Sequence, residues 1–251
     1  MVPISAVIIT FNEERNIGRC LESLQGLVEE IIVLDSFSTD KTKEICQQFG
    51  VRFFEQKFLG YEAQKNFAHQ LAEYDYVLSL DADEVLSEKL FEEIKKLKSH
   101  FSLDGYKFNR LTNYNGQWIH HCGWYPDSKV RLVKKNKAQW GGGIIHEGLE
   151  VQGITGFVEG DLLHFSYDSI SSHIQQTNKF STMEAKVRFE NGKRASIVKL
   201  VTRPPFQFFK DYFLKLGILD GRYGFIICFI NALYVLLKYA KMIELKNSKP
   251  I

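Results

Sequence analysis

The sequence predicts an α/β protein with a mixed central sheet and a helical C-terminal segment. Three observations carry this reading. In the first hundred residues short apolar runs alternate with stretches of helical period, the pattern of parallel strands joined by crossover helices. From about residue 105 the runs shorten and gather Gly and Trp, as in GYKFNRLTNYNGQWIHHCGWYPDSKVRLVKK and AQWGGGIIHEGLEV, which reads as mixed, partly antiparallel strands closing over the same edge. From Ser169 onward the pattern is helical, interrupted at Arg203-Pro204-Pro205. The expected division is a catalytic domain over residues 1–168 and a C-terminal helical segment over 169–251.

Each element has a local cause. Ile4 to Thr10 and Glu30 to Leu34 are apolar runs of strand length. Between them Ile17, Cys20, Leu21 and Leu24 recur at i, i+3, i+4 and i+7, one face of a helix. Thr42 to Phe49 forms the next helix, with Asp40 as its cap, and Val51 to Phe54 the next strand. A helix near Glu62 to Glu73 leads into a strand from Tyr76 to Leu80. Ser87 is placed to cap a fourth helix that turns Leu90, Ile94 and Leu97 inward.

The composition bounds the function. A chain of 251 residues, 45% apolar and 25% charged, buries one large core. The net charge of +2 hides an asymmetry: residues 161–251 hold 14 Lys and Arg against 7 Asp and Glu, leaving 18 against 23 in residues 1–160. A nucleic-acid reader carries its basic excess on its principal domain. Here the excess sits in an aromatic, apolar tail, which points to an anionic membrane surface and away from nucleic acid. Residues 223–237 give 15 uncharged positions between Arg222 and Lys238. A spanning helix needs roughly 20, so the tail is expected to lie on a membrane rather than cross it, or else to pack as a core helix or an oligomer interface. Cys20, Cys46, Cys122 and Cys228 show no paired spacing and read as reduced thiols. The N-terminal apolar run is short and lacks a basic start, unlike a secretory signal.

In a parallel sheet the ligand site lies beyond the carboxyl ends of the strands. The residues there are Thr10-Phe11-Asn12-Glu13, Asp35-Ser36-Phe37-Ser38 and Asp81-Ala82-Asp83-Glu84. Asp81 and Asp83 stand two residues apart at a strand end, where alternate side chains share a face. Two such carboxylates suit Mg²⁺ or Mn²⁺, hard cations that prefer oxygen and share coordination with a diphosphate. The same spacing also describes a solvated acidic turn ahead of a helix, with Glu84 near its start.

The segments VIITFNEERNIGRCLESL, IIVLDSFSTDKT, AQKNFA and YVLSLDADEVL together resemble the nucleotide-binding half of glycosyltransferase family 2, the large inverting group with the Rossmann-like A-type fold. More narrowly, RLTNYNGQWIHHCGWYPDSKVRLVKK, the HEGL at His146 to Leu149, and FFKDYFLKLGILDGRYGF resemble the small bacterial lipopolysaccharide-core β-glycosyltransferases.

The resemblance implies roles residue by residue. Thr10, Phe11, Asn12 and Glu13 line the nucleoside pocket, and Asp35 accepts from the base. Lys65 stands near the diphosphate as a point charge, or is an ordinary exposed helix lysine. Asp81 sits by the ribose and metal, with Asp83 the direct ligand. Inversion is a single in-line displacement that needs a base opposite the leaving group. Glu147, after a Gly-rich bend, is the candidate, with Asp127 in reserve and His146 as a third metal ligand or diphosphate contact; Glu147 and His146 also read as a surface carboxylate and a packed histidine. Trp124, Tyr125 and Trp140 offer acceptor-stacking faces or core packing, and Arg131 an anionic acceptor contact or a strand-edge position. His120, His121 and Cys122 read as structural or acceptor-loop residues. No Gln-x-x-Arg-Trp is present, so one sugar is added per acceptor. The implied partners are a UDP-sugar donor and a lipid-linked saccharide, the lipid A-core, met on the inner face of the bacterial cytoplasmic membrane. Two rivals stand beside it: a polyprenyl phosphate acceptor, or a non-catalytic membrane scaffold that retains the nucleotide pocket.

Overall fold

The computed structural model describes residues 1–142 and 148–247. The chain forms two compact units, Met1–Leu111 with Asp127–Phe165, and Thr112–Pro126 with Ser166–Ile251.

The first unit opens with β1 (Ile4–Thr10), α1 (Ile17–Leu24), β2 (Glu30–Asp35), α2 (Thr42–Gln48), β3 (Arg52–Glu55), α3 (Tyr61–Leu71) and β4 (Tyr76–Asp81), each within two residues of the stretch its periodicity predicts. β1 pairs in parallel with both β2 and β4, and β2 with β3. Next come β5 (Glu84–Leu86), α4 (Glu88–Leu97) and β6 (Gly105–Tyr114). A short strand of the second unit, β7 (Gln117–Ile119), precedes β8 (Asp127–Lys134), β9 (Ala138–Gly141), β10 (Gly148–Val151) and β11 (Thr155–Tyr167). β8 runs antiparallel to β4 and β6, and β11 antiparallel to β5, so the sheet is mixed in the order β3-β2-β1-β4-β8-β6-β11-β5. β9 and β10 form a separate antiparallel pair.

Strand alternation sets the two cores. Ile4, Ala6 and Ile8 of β1 pack on one face with Ile17, Cys20, Leu21 and Leu24 of α1 and Leu90 and Ile94 of α4. Val7 points to the other face, with Ile32, Leu34, Val77, Ala68 of α3 and Trp140. Full burial of an Ile or Leu side chain contributes about 1.5–3 kcal/mol, so the α1 stripe alone fixes that helix on the sheet. Ser87 caps α4 as predicted, its Oγ accepting the Leu90 N–H at 3.2 Å. Asp40 acts one residue earlier than a true N-cap: its Oδ1 accepts the Thr42 N–H at 3.0 Å, while Lys41 holds the cap position.

In the second unit β7 pairs with the last residues of β6. The buried carboxylate of Asp220 accepts the N–H groups of His120 at 3.2 Å and His121 at 2.9 Å, and lies 2.9 Å from His121 Nδ1. These two histidines therefore belong to a structural anchor, which also helps hold Cys122 at φ 60°. All four cysteines are free and buried.

Three helices complete this unit: α5 (Ile170–Glu190), α6 (Ile197–Phe209) and α7 (Gly221–Asn247). Two expectations change here. Pro204 and Pro205 do not interrupt the helix but lie inside α6. Proline's φ is helical, and the penalty is the loss of two N–H donors and ring crowding, which contacts with α7 offset. A π-helical turn, Lys210–Leu214, follows. The uncharged run of residues 223–237 is likewise not the limit of its helix. By length and composition Gly217–Lys246 is long and apolar enough to cross a membrane, with mean hydropathy 1.7. Lys238, the charge that ends the run on its C-terminal side, and Lys241 beyond it are met by α5: Lys238 Nζ lies 3.3 Å from Glu184 Oε1, and Lys241 Nζ donates to Asn178 Oδ1 at 2.7 Å and Ser181 Oγ at 2.8 Å.

Candidate active site

The carboxyl ends of β1, β2 and β4 form one edge of the first unit. Thr10 and Asp35 are register partners, both buried, and the loops that leave them are stitched together. Asn12, at φ 55°, donates its N–H to Ser38 Oγ at 2.8 Å and accepts the Thr39 N–H on Oδ1 at 2.8 Å. The Glu13 N–H donates to Thr42 Oγ1 at 2.8 Å. Asp35 accepts from the Ser38 N–H at 2.7 Å and from the Ser38 hydroxyl. Each of its oxygens retains a second lone pair. Phe11 and Phe37 leave aromatic rings more than half exposed on this edge. Phe37, held at φ 61°, is a residue the sequence reading did not single out. Two buried acceptors here, Thr10 Oγ1 and Gln64 Oε1, have no protein partner among the described residues. Buried polar atoms left in that state call for a water or a ligand.

At the end of β4, Asp81 gathers the basic groups. Lys65 Nζ lies 2.8 Å from Asp81 Oδ1, and Arg131 Nη2 lies 3.0 Å from Asp81 Oδ2. The same Arg131 nitrogen reaches Glu84 Oε1 at 2.7 Å, and Arg110 Nη1 lies 3.5 Å from that oxygen. Glu84 is fully buried, and its other oxygen accepts the Asp81 N–H at 3.0 Å. Burial alone raises a carboxyl's pKa, but Lys65 and Arg131 outweigh it and hold Asp81 far below the usual carboxylate range. Trp140 forms the floor: its ring lies 4.3 Å from Lys65 Nζ and 5.4 Å from Arg131 Cζ, within cation–π reach. The backbone of Trp140 exchanges two hydrogen bonds with the Asn66 side chain, both 2.9 Å, which tie β9 to α3.

The strand argument for Asp81 and Asp83 needs correction. β4 ends at Asp81 and the chain turns through Ala82 and Asp83, so the period of two stops before the second carboxylate. Asp83 instead meets His164 of β11, whose Nε2 lies 3.2 Å from Asp83 Oδ2. The Phe165 N–H donates to the Asp83 carbonyl at 2.9 Å and fixes the turn. Among the described residues no group of three or more His, Cys, Asp and Glu side chains is arranged to hold a metal. Asp83 and His164 are an oxygen and nitrogen pair of the kind Mn²⁺ accepts.

Arg131 and Trp140, expected at an acceptor surface or in packing, are 4% and 2% exposed and belong to the Asp81 network. Asp127 is bound by Arg110, at 3.0 Å from Nε and 2.8 Å from Nη2, and by Lys129 at 3.0 Å. Burial works to raise its pKa, but these cations lower it overall. Trp124 and Tyr125 lie in the second unit, both half-buried; Trp124 stacks on Tyr167 with ring centroids 5.5 Å apart, and Tyr125 meets His120 edge-on. His146 and Glu147 lie outside the described residues.

Residues 5–143 match the family model of Glycosyl transferase family 2. The lipopolysaccharide core biosynthesis glycosyltransferase LpsC of Rhizobium meliloti is 32% identical over 97% of this chain and 93% of its own length. The chain belongs to glycosyltransferase family 2. It is therefore a transferase, and its mixed sheet is the A-type fold of glycosyltransferases. An uncharacterized glycosyltransferase of Rickettsia typhi is 31% identical over 98% of this chain and 88% of that protein. Among solved structures, S. aureus TarS 1-349 aligns with TM-score 0.47 and 13% identity, covering 72% of this chain and 64% of that one. Glucosyl-3-phosphoglycerate synthase from Mycobacterium tuberculosis, in complex with Mn²⁺, UDP and glucosyl-3-phosphoglycerate, aligns with TM-score 0.40 and 22% identity over 54% of this chain and 57% of that one. This glycosyltransferase spans less than two thirds of either solved chain.

Proposed function

We propose that this family 2 glycosyltransferase moves a single sugar from a UDP-sugar to a hydroxyl of a lipid-linked saccharide, with inversion, in building the lipopolysaccharide core. The observation that carries the reading is the convergence of Lys65 and Arg131 on Asp81 at the carboxyl end of β4. It places fixed cations beside the strand ends where a nucleotide diphosphate sits in an open α/β sheet. The name and full-length similarity of LpsC support the lipopolysaccharide core over a polyprenyl phosphate as acceptor.

In this reading Thr10, Phe11, Asn12, Glu13 and Asp35 hold the nucleoside. Lys65, held by Asp81 at the end of β4, is the point charge that meets the diphosphate. Asp83 and His164 hold a divalent cation, Mg²⁺ or Mn²⁺, with Asp81 acting indirectly. When bound, that ion neutralises charge on the departing diphosphate. The acceptor hydroxyl oxygen attacks the anomeric carbon from the face opposite the diphosphate. The bond from that carbon to the diphosphate oxygen breaks, and UDP leaves with the electron pair. Glu147 takes the hydroxyl proton. Asp127 is the weaker candidate for this step, because Arg110 and Lys129 hold it in the ionised form and reduce its basicity.

The helical tail serves docking on the anionic inner face of the cytoplasmic membrane. Its lysines and arginines meet the headgroups, and its exposed aromatics enter the interface. Incubation of the full chain with UDP-sugars, Mn²⁺ and truncated lipopolysaccharide acceptors tests the transfer. UDP release that depends on acceptor and metal is expected. Failure of every donor and acceptor pair to release UDP defeats the reading in favour of a nucleotide-binding scaffold.

A further inference from the structure

An apolar groove of about 480 Å³ runs between α6 and α7, lined by residues that include Pro204, Phe208, Phe225, Phe229, Leu233 and Leu236. Such a lining has no use for a polar ligand. Phe225 and Phe229 are 49% and 59% exposed, and Ile197, Val201, Leu214 and Leu219 of the same unit are each more than 60% exposed. Exposed apolar surface on this scale marks a docking site.

The charges of the same stretch say what docks. Between residue 191 and the end of α7 the acidic residues are Asp211 and Asp220, both buried, and Glu244, exposed in the last turn of α7. Lys193, Arg194, Lys199, Arg203, Lys215 and Arg222 are exposed. The exposed charge around the groove is therefore strongly positive, six cations against the single carboxylate of Glu244 at the far end of α7. A second copy of the chain brings the same cations face to face and is repelled. An anionic lipid complements both features, with its headgroup among the cations and its chain on the aromatics.

We infer that the groove between α6 and α7 seats an acyl chain of an anionic membrane lipid. Membrane association is then a specific lipid contact rather than adsorption by charge alone. The inference rests on the membrane-docking part of the proposed function, and is independent of the transfer chemistry.

The test uses the full chain with Phe229→Trp as a reporter, and vesicles of phosphatidylglycerol whose acyl chains are brominated at mid-length. Tryptophan quenching is expected to exceed that of the unsubstituted protein at least twofold, and the excess is expected to vanish when Leu233→Glu is added. Leu236→Trp supplies a second reporter should Phe229→Trp not fold. Flotation with the vesicles without excess quenching overturns the inference, leaving attraction by the cations. Failure to float overturns it as well, and so does self-association that Leu233→Glu disperses, which makes the groove an interface between copies. UDP-sugar binding is followed on the same samples: its loss with quenching intact counts against the transfer reading alone.

Discussion

Lys65 Nζ stands 2.8 Å from Asp81 Oδ1 and 4.3 Å from the centroid of the Trp140 ring. The ammonium is thus desolvated by an aromatic floor, aimed by a carboxylate, and 7% exposed. A lysine so restrained loses little further freedom on meeting a phosphate. Lys65→Ala is expected to weaken UDP binding by roughly 10–100-fold, the worth of a charge-assisted hydrogen bond. Lys65→Arg retains the charge without the fit and falls between. Isothermal titration with UDP and Mn²⁺ decides, and unchanged affinity in Lys65→Ala removes Lys65 from the donor site.

Arg131 bridges Asp81 and Glu84 from a position 4% exposed. Its removal leaves the fully buried Glu84 carboxylate with only the longer Arg110 contact, at 3.5 Å, as its cation among those described. Arg131→Met is expected to cost about 3–5 kcal/mol, the cost of breaking a buried pair. That corresponds to a fall in Tm of roughly 10 °C for a chain of this size. Arg131→Met combined with Glu84→Gln should recover part of the loss. Thermal unfolding without nucleotide reads both, and a double variant no better than the single one shows that Glu84 is not the stranded group.

The strand ends were legible because β1, β2 and β4 are apolar runs of strand length separated by helical periods. Position after a strand was then enough to point at Thr10, Asp35 and Asp81. The ion network was less legible, since Glu84, Arg110 and Arg131 come from three strands whose antiparallel pairing no local period encodes. His164 had one faint signal, a polar residue in the otherwise apolar LLHF run. Only the register of β11 against β5, which pairs His164 with Glu84, brings it beside Asp83. Helix α6 shows the opposite failure: two prolines read as a break in the sequence, while contact with α7 carries the helix through them.

His164 and Asp83 make the metal reading testable away from catalysis. His164→Ala is expected to weaken Mn²⁺ binding in the presence of UDP by roughly 10–100-fold, and Asp83→Ala to abolish it. Electron paramagnetic resonance of free Mn²⁺ measures this directly. Equal affinity in wild type and both variants places the ion elsewhere.

The second unit has its own pH dependence. His173 is buried, its Nδ1 3.1 Å from the Tyr114 hydroxyl, and burial lowers its pKa from 6.5 to about 4. A lowered histidine pKa means that the unfolded chain takes up the proton first. Stability from this group is full above pH 6.5, falls as pH drops towards about 4, and levels off below it. The slope through that window should flatten in His173→Gln. An NMR titration of the His173 ring with a midpoint above 6 contradicts the assignment.

Glu147 and Asp127 compete for the role of base, and two variants separate them. Asp127 is fixed by Arg110 and Lys129, which stabilise its carboxylate and leave it a poor proton acceptor. Neutralising it removes an ion-pair partner, so Asp127→Asn should lower Tm while reducing kcat less than about tenfold. Glu147→Gln keeps the size of the side chain and removes the proton acceptor. Transfer should then fall by about 10²–10⁴-fold, the usual contribution of a positioned base, with UDP affinity unchanged. Loss of kcat at constant nucleotide affinity is the signature of a group that acts only in the transition state. The reverse pattern, near-normal turnover in Glu147→Gln and collapse in Asp127→Asn, assigns the base to Asp127. That outcome requires Arg110 to release its carboxylate when the acceptor binds.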